Sequence, residues 1–391
     1  MARLPVLSVS AVLLIILAAF QQQQCVSADV SFHKHTTAEL ELPLCYSSEA
    51  SPLDYIPLSI RSEPSDGEGI TEKDAARDAP YWDLSCPWEW SKFSCAHQGQ
   101  TAKAIASFAL SQKLEGEDCR LNPFDAQAFL ALLGRRKIVF VGDSLTRQMF
   151  TSLLCLLHAS PAVRVVSDTI EWSTKWSCLR LPNCIERGRH SGFTKGCVTF
   201  TPAAASAAAS ATGGGAPEAD ALEVCYDYKD DGELVAFAML RHPDLRARRD
   251  IVVANSGIHM TLRERSYDMT HYVAHARADA ARLPIAVYRE TSPQHFEGTA
   301  GGLYFKGKSS FKRCKDSVVL AEEPLSEPER AYMAGQVAML AVNPLAAAAG
   351  NMHVGAGVDC THWCAPGVPD LWNVALFNYL SAHLAALEEG A

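Results

Sequence analysis

Apolar and polar positions along the chain follow a repeating order: a short β-branched run, a polar turn, then a stretch with helical spacing. "KIVFV" (Lys137 to Val141) runs into Gly142, Asp143 and Ser144. It is followed by "LTRQMFTSLLCLLHA", in which Leu145, Met149, Ser152, Leu153 and Leu156 keep a helical period. "DIVVA" (Asp250 to Ala254) leads to "NSGIHM", and "PIAVYRE" (Pro284 to Glu290) leads to "TSPQHF". The helical pattern "HYVAHARADAARL" separates these last two runs. Strands alternating with helices predict an α/β fold with a mainly parallel sheet. Ligands of such sheets bind beyond the carboxyl ends of the strands. "GDS" and "NSG" both stand at such ends and are therefore aimed at one crevice.

Two stretches interrupt this order. Residues 29–80 are polar, rich in Ser, Pro, Asp and Glu, and read as a stalk or lead-in. "PAAASAAASATGGGAPEADA" (202–221) offers no strong apolar face and reads as a surface loop insertion in a folded domain spanning 81–391. At the N-terminus Arg3 precedes an apolar run from Leu4 to Phe20, followed by "QQQQCVSA". That is the layout of a secretory signal over residues 1–28, with Val26 and Ala28 suited to positions −3 and −1 of a cleavage site. Cleavage is favoured over a retained signal anchor, and both place the rest of the chain in a lumen or outside the cell.

Composition sharpens this reading. The chain has 391 residues, of which 48% are hydrophobic, enough for a sizeable core. Its net charge of −9 and pI near 5.8 leave no basic surplus for a phosphate backbone, so nucleic acid is not an expected partner. The basic cluster "RHPDLRARRD" reads as a solvated helix end or turn. Twelve of the 13 cysteines follow Cys25: Cys45, Cys86, Cys95, Cys119, Cys155, Cys178, Cys184, Cys197, Cys225, Cys314, Cys360 and Cys364. An even set in an oxidising compartment reads as disulfides, although Cys155, in an apolar helical pattern, reads equally as a buried free thiol. No Asn-x-Ser/Thr acceptor occurs.

Ser144 follows a buried strand and opens a helix, where backbone N–H groups and the positive end of the helix dipole surround its oxygen. The placement suits an acyl-serine; it equally suits a plain helix cap. A serine nucleophile needs a base, and the base an orienter. Asp359 and His362 in "DCTHWCAPGVPDLWN" supply both at a spacing of three. A metal reading of Cys360, His362 and Cys364 does not match the usual zinc spacings, and His271 with His275 lacks the glutamate of a zincin helix. No metal is expected. Asn255 reads either as a side-chain donor to an oxyanion, with a glycine N–H as second donor, or as an Asx turn. His259 and His295 read as sugar-hydroxyl contacts or as loop hydrogen bonds.

Together these residues resemble the SGNH hydrolase superfamily, and within it the trichome birefringence-like, or PC-esterase, family of polysaccharide O-acetyltransferases. The resemblance is carried, in collinear order, by "CRLNPFDAQAFLALLGRRKIVFVGDSLTRQMFTSLLCLL", "NSGIH", "ETSPQHFEG" and "DCTHWCAPGVPDLWN". It covers about Trp82 to Trp372 and is thin between about Ala159 and Asp250.

The resemblance implies a flavodoxin-like, three-layer α/β/α domain, stabilised by disulfides, in the Golgi or secreted. It implies Ser144 as nucleophile, His362 as general base, Asp359 as its orienter, and Asn255 with Gly257 in the oxyanion hole. Gly188 and Gly192 are candidates for a further oxyanion glycine, and Arg147, His259 and His295 for substrate contacts. Cys360 or Cys364 would fix the base-bearing loop. Gln148 stands where family members commonly have Asn, and "IHM" replaces an aromatic pair, which bears on acceptor recognition. The expected activity is acetyl transfer to a polysaccharide through an acyl-serine, with the acetyl donor as co-substrate and no cofactor. Ester hydrolysis by the same triad, and a non-catalytic polysaccharide-binding protein, are the alternatives.

Overall fold

The computed structural model describes residues 44–49, 51–53, 59–62, 86–88, 93–95, 112–116, 119–171, 193–203, 221–229, 234–278, 280–299, 302–304, 310–319, 326–354 and 359–389. The N-terminal segment 1–28 and most of the 202–221 insertion lie outside the described residues.

Three short strands, β1 (Ser59–Ser62), β2 (Gln112–Gly116) and β3 (Cys119–Arg120), form a small antiparallel sheet. The main sheet has seven strands: β4 (Lys137–Gly142), β5 (Val163–Asp168), β6 (Lys195–Pro202), β7 (Leu222–Tyr228), β8 (Ile251–Ala254), β9 (Ile285–Arg289) and β12 (Ala338–Leu340). Two further short strands, β10 (Phe296–Glu297) and β11 (Ser310–Cys314), pair with each other. Across the main sheet the order is β12-β9-β8-β4-β7-β6-β5. From β12 to β7 neighbours run parallel; β6 is antiparallel to both β7 and β5. The expected parallel sheet therefore carries an antiparallel edge, and residues 203–221 join its strands β6 and β7, a link that needs no crossover helix.

The central strand β4 shows why the domain has three layers. All six of its residues are buried, so both faces must be covered. Ile138 and Phe140 point to one side, with Val224, Tyr226, Ile251 and Val253 of the flanking strands. There they meet helix α2 (Ser144–His158) and the C-terminal helix α7 (Val368–Glu389). Val139 and Val141 point to the other side, where Val252 and Ala254 join helices α3 (Leu234–Arg241) and α4 (Leu262–Ala278). Each large apolar side chain buried this way contributes roughly 1.5–3 kcal/mol. Helices α1 (Ala126–Leu133), α5 (Ser326–Met333) and α6 (Asn343–Ala347) complete the set. No helix among the described residues is long and apolar enough to cross a membrane.

Chain order places β7 and β8 on opposite sides of β4, so the connections change direction there. The carboxyl end of β4 is thus a switch point, where an open α/β sheet leaves room for a ligand.

Among the described residues five disulfides join Cys45–Cys119, Cys86–Cys155, Cys95–Cys364, Cys197–Cys225 and Cys314–Cys360. Cys155 is bonded, which resolves its two readings; Cys178 and Cys184 lie outside the described residues. Part of the stretch read as a lead-in is folded onto the domain: Cys45 is bridged to Cys119, and Tyr379 donates to the carbonyl of Pro52 at 2.7 Å. The basic cluster is bonded both within itself and to the end of the C-terminal helix. Arg246 Nε donates to Asp250 at 2.9 Å and Arg248 to the carbonyl of Glu389 at 2.6 Å.

Candidate active site

β4 ends at Gly142, and Asp143 caps the helix that Ser144 opens. Asp143 Oδ1 accepts the N–H groups of Leu145 (2.9 Å) and Thr146 (3.3 Å), two donors without intrahelical partners. Its Oδ2 accepts the Ile258 N–H at 3.0 Å, so the same carboxylate anchors the loop leaving β8. Two glycines make this convergence possible. A Cβ on Gly142 would lie 2.4 Å from Thr146 Oγ1, and one on Gly257 would lie 2.7 Å from Asp143 Oδ2. Gly257 also has φ +76°, which L side chains rarely adopt. Ser144 is left half-buried at a helix N-terminus, where its own N–H has no intrahelical acceptor.

The segment 359–363 crosses this end of the sheet. His362 Nε2 lies 2.8 Å from Ser144 Oγ, and His362 Nδ1 lies 2.8 and 3.1 Å from the two carboxylate oxygens of Asp359. A carboxylate only accepts, so the ring proton belongs on Nδ1 and the Nε2 lone pair faces the serine hydroxyl. Asp359 Oδ1 also accepts the N–H groups of Thr361 (3.2 Å) and His362 (3.1 Å), closing a tight turn that carries the carboxylate and the imidazole together.

Support comes from several sides. The Phe93 ring lies 5.4 Å from that of His362, Gln294 donates to Thr361 Oγ1 at 2.7 Å, and Cys314–Cys360 and Cys95–Cys364 flank the turn.

The other predicted residues fall differently. Asn255 is fully buried, and its amide nitrogen donates to the Arg289 carbonyl (2.8 Å) and to Thr291 Oγ1 (2.9 Å). Its Oδ1 accepts the Gly257 N–H at 2.9 Å. Both amide protons and the Gly257 N–H are thus committed to the fold, and neither residue presents the oxyanion donor expected of it. Asn255 ties β8 to β9, and Gly257 makes room for Asp143.

His295 is also no substrate contact. Buried, it lies 3.1 Å from the Ala347 carbonyl and 2.9 Å from His353 Nε2, while His353 Nδ1 lies 2.9 Å from the His362 carbonyl. Burial pushes the His295 pKa down to about 4 and holds His353 well below the ordinary histidine value. His259 is exposed. Arg147, one turn beyond Ser144, is half-buried and donates to the Phe193 carbonyl at 3.3 Å. Gly188 and Gly192 lie outside the described residues.

Sequence reasoning passed over Phe93, Gln294 and His353, whose partners are distant in the chain. Among the described residues one group, Cys197, Cys225 and His242, has metal-ligand chemistry within 4.8 Å. Its thiols are joined as a disulfide, and His242 Nε2 lies 2.6 Å from Asp227.

Residues 121–183 match the sequence family PC-Esterase, described as a GDSL/SGNH-like acyl-esterase family found in Pmr5 and Cas1p. Over longer spans the chain is similar to an Oryza sativa subsp. japonica protein named probable xylan O-acetyltransferase 11. The two are 24% identical over 83% of this chain and 89% of that protein. It is also similar to protein trichome birefringence-like 38 of Arabidopsis thaliana, 25% identical over 77% of this chain and 80% of that one. A second rice protein, named probable xylan O-acetyltransferase 9, is 36% identical over 24% of this chain and 20% of its own length.

Proposed function

We propose that this chain, which belongs with the PC-esterase and trichome birefringence-like proteins, is a polysaccharide O-acetyltransferase acting through an acyl-serine. The observation that carries the reading is the unbroken hydrogen-bond chain from Ser144 Oγ through His362 to Asp359. Ser144 Oγ attacks the acyl carbonyl as His362 Nε2 takes its proton, and Asp359 stabilises the imidazolium. The oxyanion forms beside the start of α2, where the Ser144 N–H and the helix dipole favour negative charge. His362 returns the proton to the leaving group. In the second half it takes a proton from an acceptor sugar hydroxyl, whose oxygen attacks the acyl carbon, and gives that proton to Ser144 Oγ as the acyl–oxygen bond breaks. General acid–base catalysis of this kind contributes about 10²–10⁴-fold.

Nucleophile, base and orienter are all side chains, so the reaction as proposed calls on an acetyl donor as co-substrate and on no cofactor. Relatives named probable xylan O-acetyltransferases point to a cell-wall polysaccharide as acceptor. Five disulfides fit an oxidising compartment, and Golgi or secretory placement belongs to the same proposal. So does membrane anchoring by the N-terminal segment.

The matched family is described as an acyl-esterase, which favours hydrolysis as the second reading. One experiment separates the two. The purified protein is incubated with an acetyl donor, with and without a xylan oligosaccharide, and the products are weighed by mass spectrometry. Acetylated sugar supports transfer, free acetate alone supports hydrolysis, and neither product leaves a binding protein. Ser144→Ala and His362→Ala should abolish acylation with the fold intact; undiminished activity in either variant refutes the triad.

A further inference from the structure

The segment that carries His362 has little regular structure of its own. Its backbone pairs with the rest of the fold through isolated bridges, His353 with Trp363 and Ser94 with Ala365, so side-chain contacts also help to fix where His362 stands. One contact reaches it directly from the nucleophile's helix. Gln148 lies four residues beyond Ser144 on α2, one turn along the same face. Its Oε1 accepts the Trp363 N–H at 3.1 Å and its Nε2 donates to the Trp363 carbonyl at 2.6 Å. The Trp363 N–H belongs to the same planar peptide unit as the His362 carbonyl, so holding one orients the other.

Gln148 is 6% exposed and Trp363 fully buried. The two-point contact is therefore shielded from water, and both polar atoms of the amide are used. It spans the two halves of the site, which are separated by 215 residues in the chain.

We propose that Gln148 is a positioning residue that sets the approach of His362 Nε2 to Ser144 Oγ; the proposal rests on the acyl-serine reading above. An asparagine here would be shorter by one carbon–carbon bond, ~1.5 Å, and could not span both atoms of Trp363 from the same helix position. Methionine would fill the volume of glutamine without either bond. A misplacement of about 1 Å between reacting groups costs on the order of 100-fold in rate.

The test uses Gln148→Met and Gln148→Asn in the full chain, with Ser144→Ala as the control for labelling. Labelling of Ser144 by a fluorophosphonate is timed by intact mass, and the kcat and KM for p-nitrophenyl acetate are measured alongside thermal unfolding. The expected result is labelling and kcat reduced about 10- to 100-fold in both variants, with KM within about twofold and the unfolding transition retained. Labelling and kcat within about twofold of wild type in either variant would overturn the proposal, as would losses matched by an equal loss of folded protein. If the wild type itself takes no label at Ser144, the triad reading fails, and the positioning role falls with it. Labelled wild type with unaffected variants leaves the triad standing and removes Gln148 alone.

Discussion

Replacing Gly257 with alanine tests the claim that this residue makes room for the cap of the nucleophile's helix. At φ +76° any L residue is strained, at a cost of about 1–2 kcal/mol. The added Cβ would also stand 2.7 Å from Asp143 Oδ2 and 3.0 Å from its Cγ, so the carboxylate must move. Asp143 holds the N–H groups of Leu145, Thr146 and Ile258. Losing the cap costs about 0.5–2 kcal/mol, and an unpaired buried N–H about 1–3 kcal/mol more. The sum is about 2.5–7 kcal/mol. Gly335 provides the control, because its φ is +73° and an added Cβ would meet nothing within 4 Å. Gly335→Ala should therefore cost the strain alone, about 1–2 kcal/mol. Urea unfolding of both variants, followed by tryptophan fluorescence with disulfides intact, reads the difference. Equal losses in the two variants would show that Asp143 is not displaced, and the packing argument would fail.

Two other outcomes follow from buried groups and from the disulfides. Burial raises the Glu290 pKa from 4.5 to about 7, so between these values the folded state holds the extra proton and Glu290 adds stability as pH falls. His295 is lowered from 6.5 to about 4, with His353 shifted the same way, so there the unfolded state binds more protons and stability is lost as pH falls. Between about pH 4.5 and 6.5 the slopes oppose. Glu290→Gln should therefore steepen the loss of stability on acidification by about 1.4 kcal/mol per pH unit, and parallel profiles of Tm against pH for variant and wild type would contradict this. Opening the 46-residue loop closed by Cys314–Cys360, through serine at both positions, should cost about 4 kcal/mol. The loss should slow Ser144 labelling at least tenfold under conditions where tryptophan emission remains native. A wild-type labelling rate in that variant would mean the bridge does not hold the base.

What could be read from the sequence was local. β-branched runs ending in "GDS" and "NSG" place polar residues at strand ends whatever the rest of the chain does, and Asp359 with His362 forms one turn. The structure puts His362, and through it Asp359, within hydrogen-bond reach of Ser144. What could not be read depends on partners far along the chain. The Asn255 amide is taken by Arg289 and Thr291, 34 and 36 residues away, and an isolated "NSG" carries no sign of that competition. His295 is turned inward by His353, 58 residues on, and nothing in "TSPQHF" itself shows that distant partner. Gln148 was visible only as a departure from the usual residue. Its two bonds to Trp363 give that departure a physical meaning.

The bridges around the base also order events in time. Ser144 precedes His362 by 218 residues, and Cys95 precedes its partner Cys364 by 269. At about 5–20 residues per second, roughly 10–45 s of synthesis separate the nucleophile from its base. Throughout that interval the group proposed to take the Ser144 proton has not been made. A growing chain therefore holds the proposed nucleophile without its proposed base until synthesis reaches His362, and Cys95 can be bridged only once Cys364 has been made.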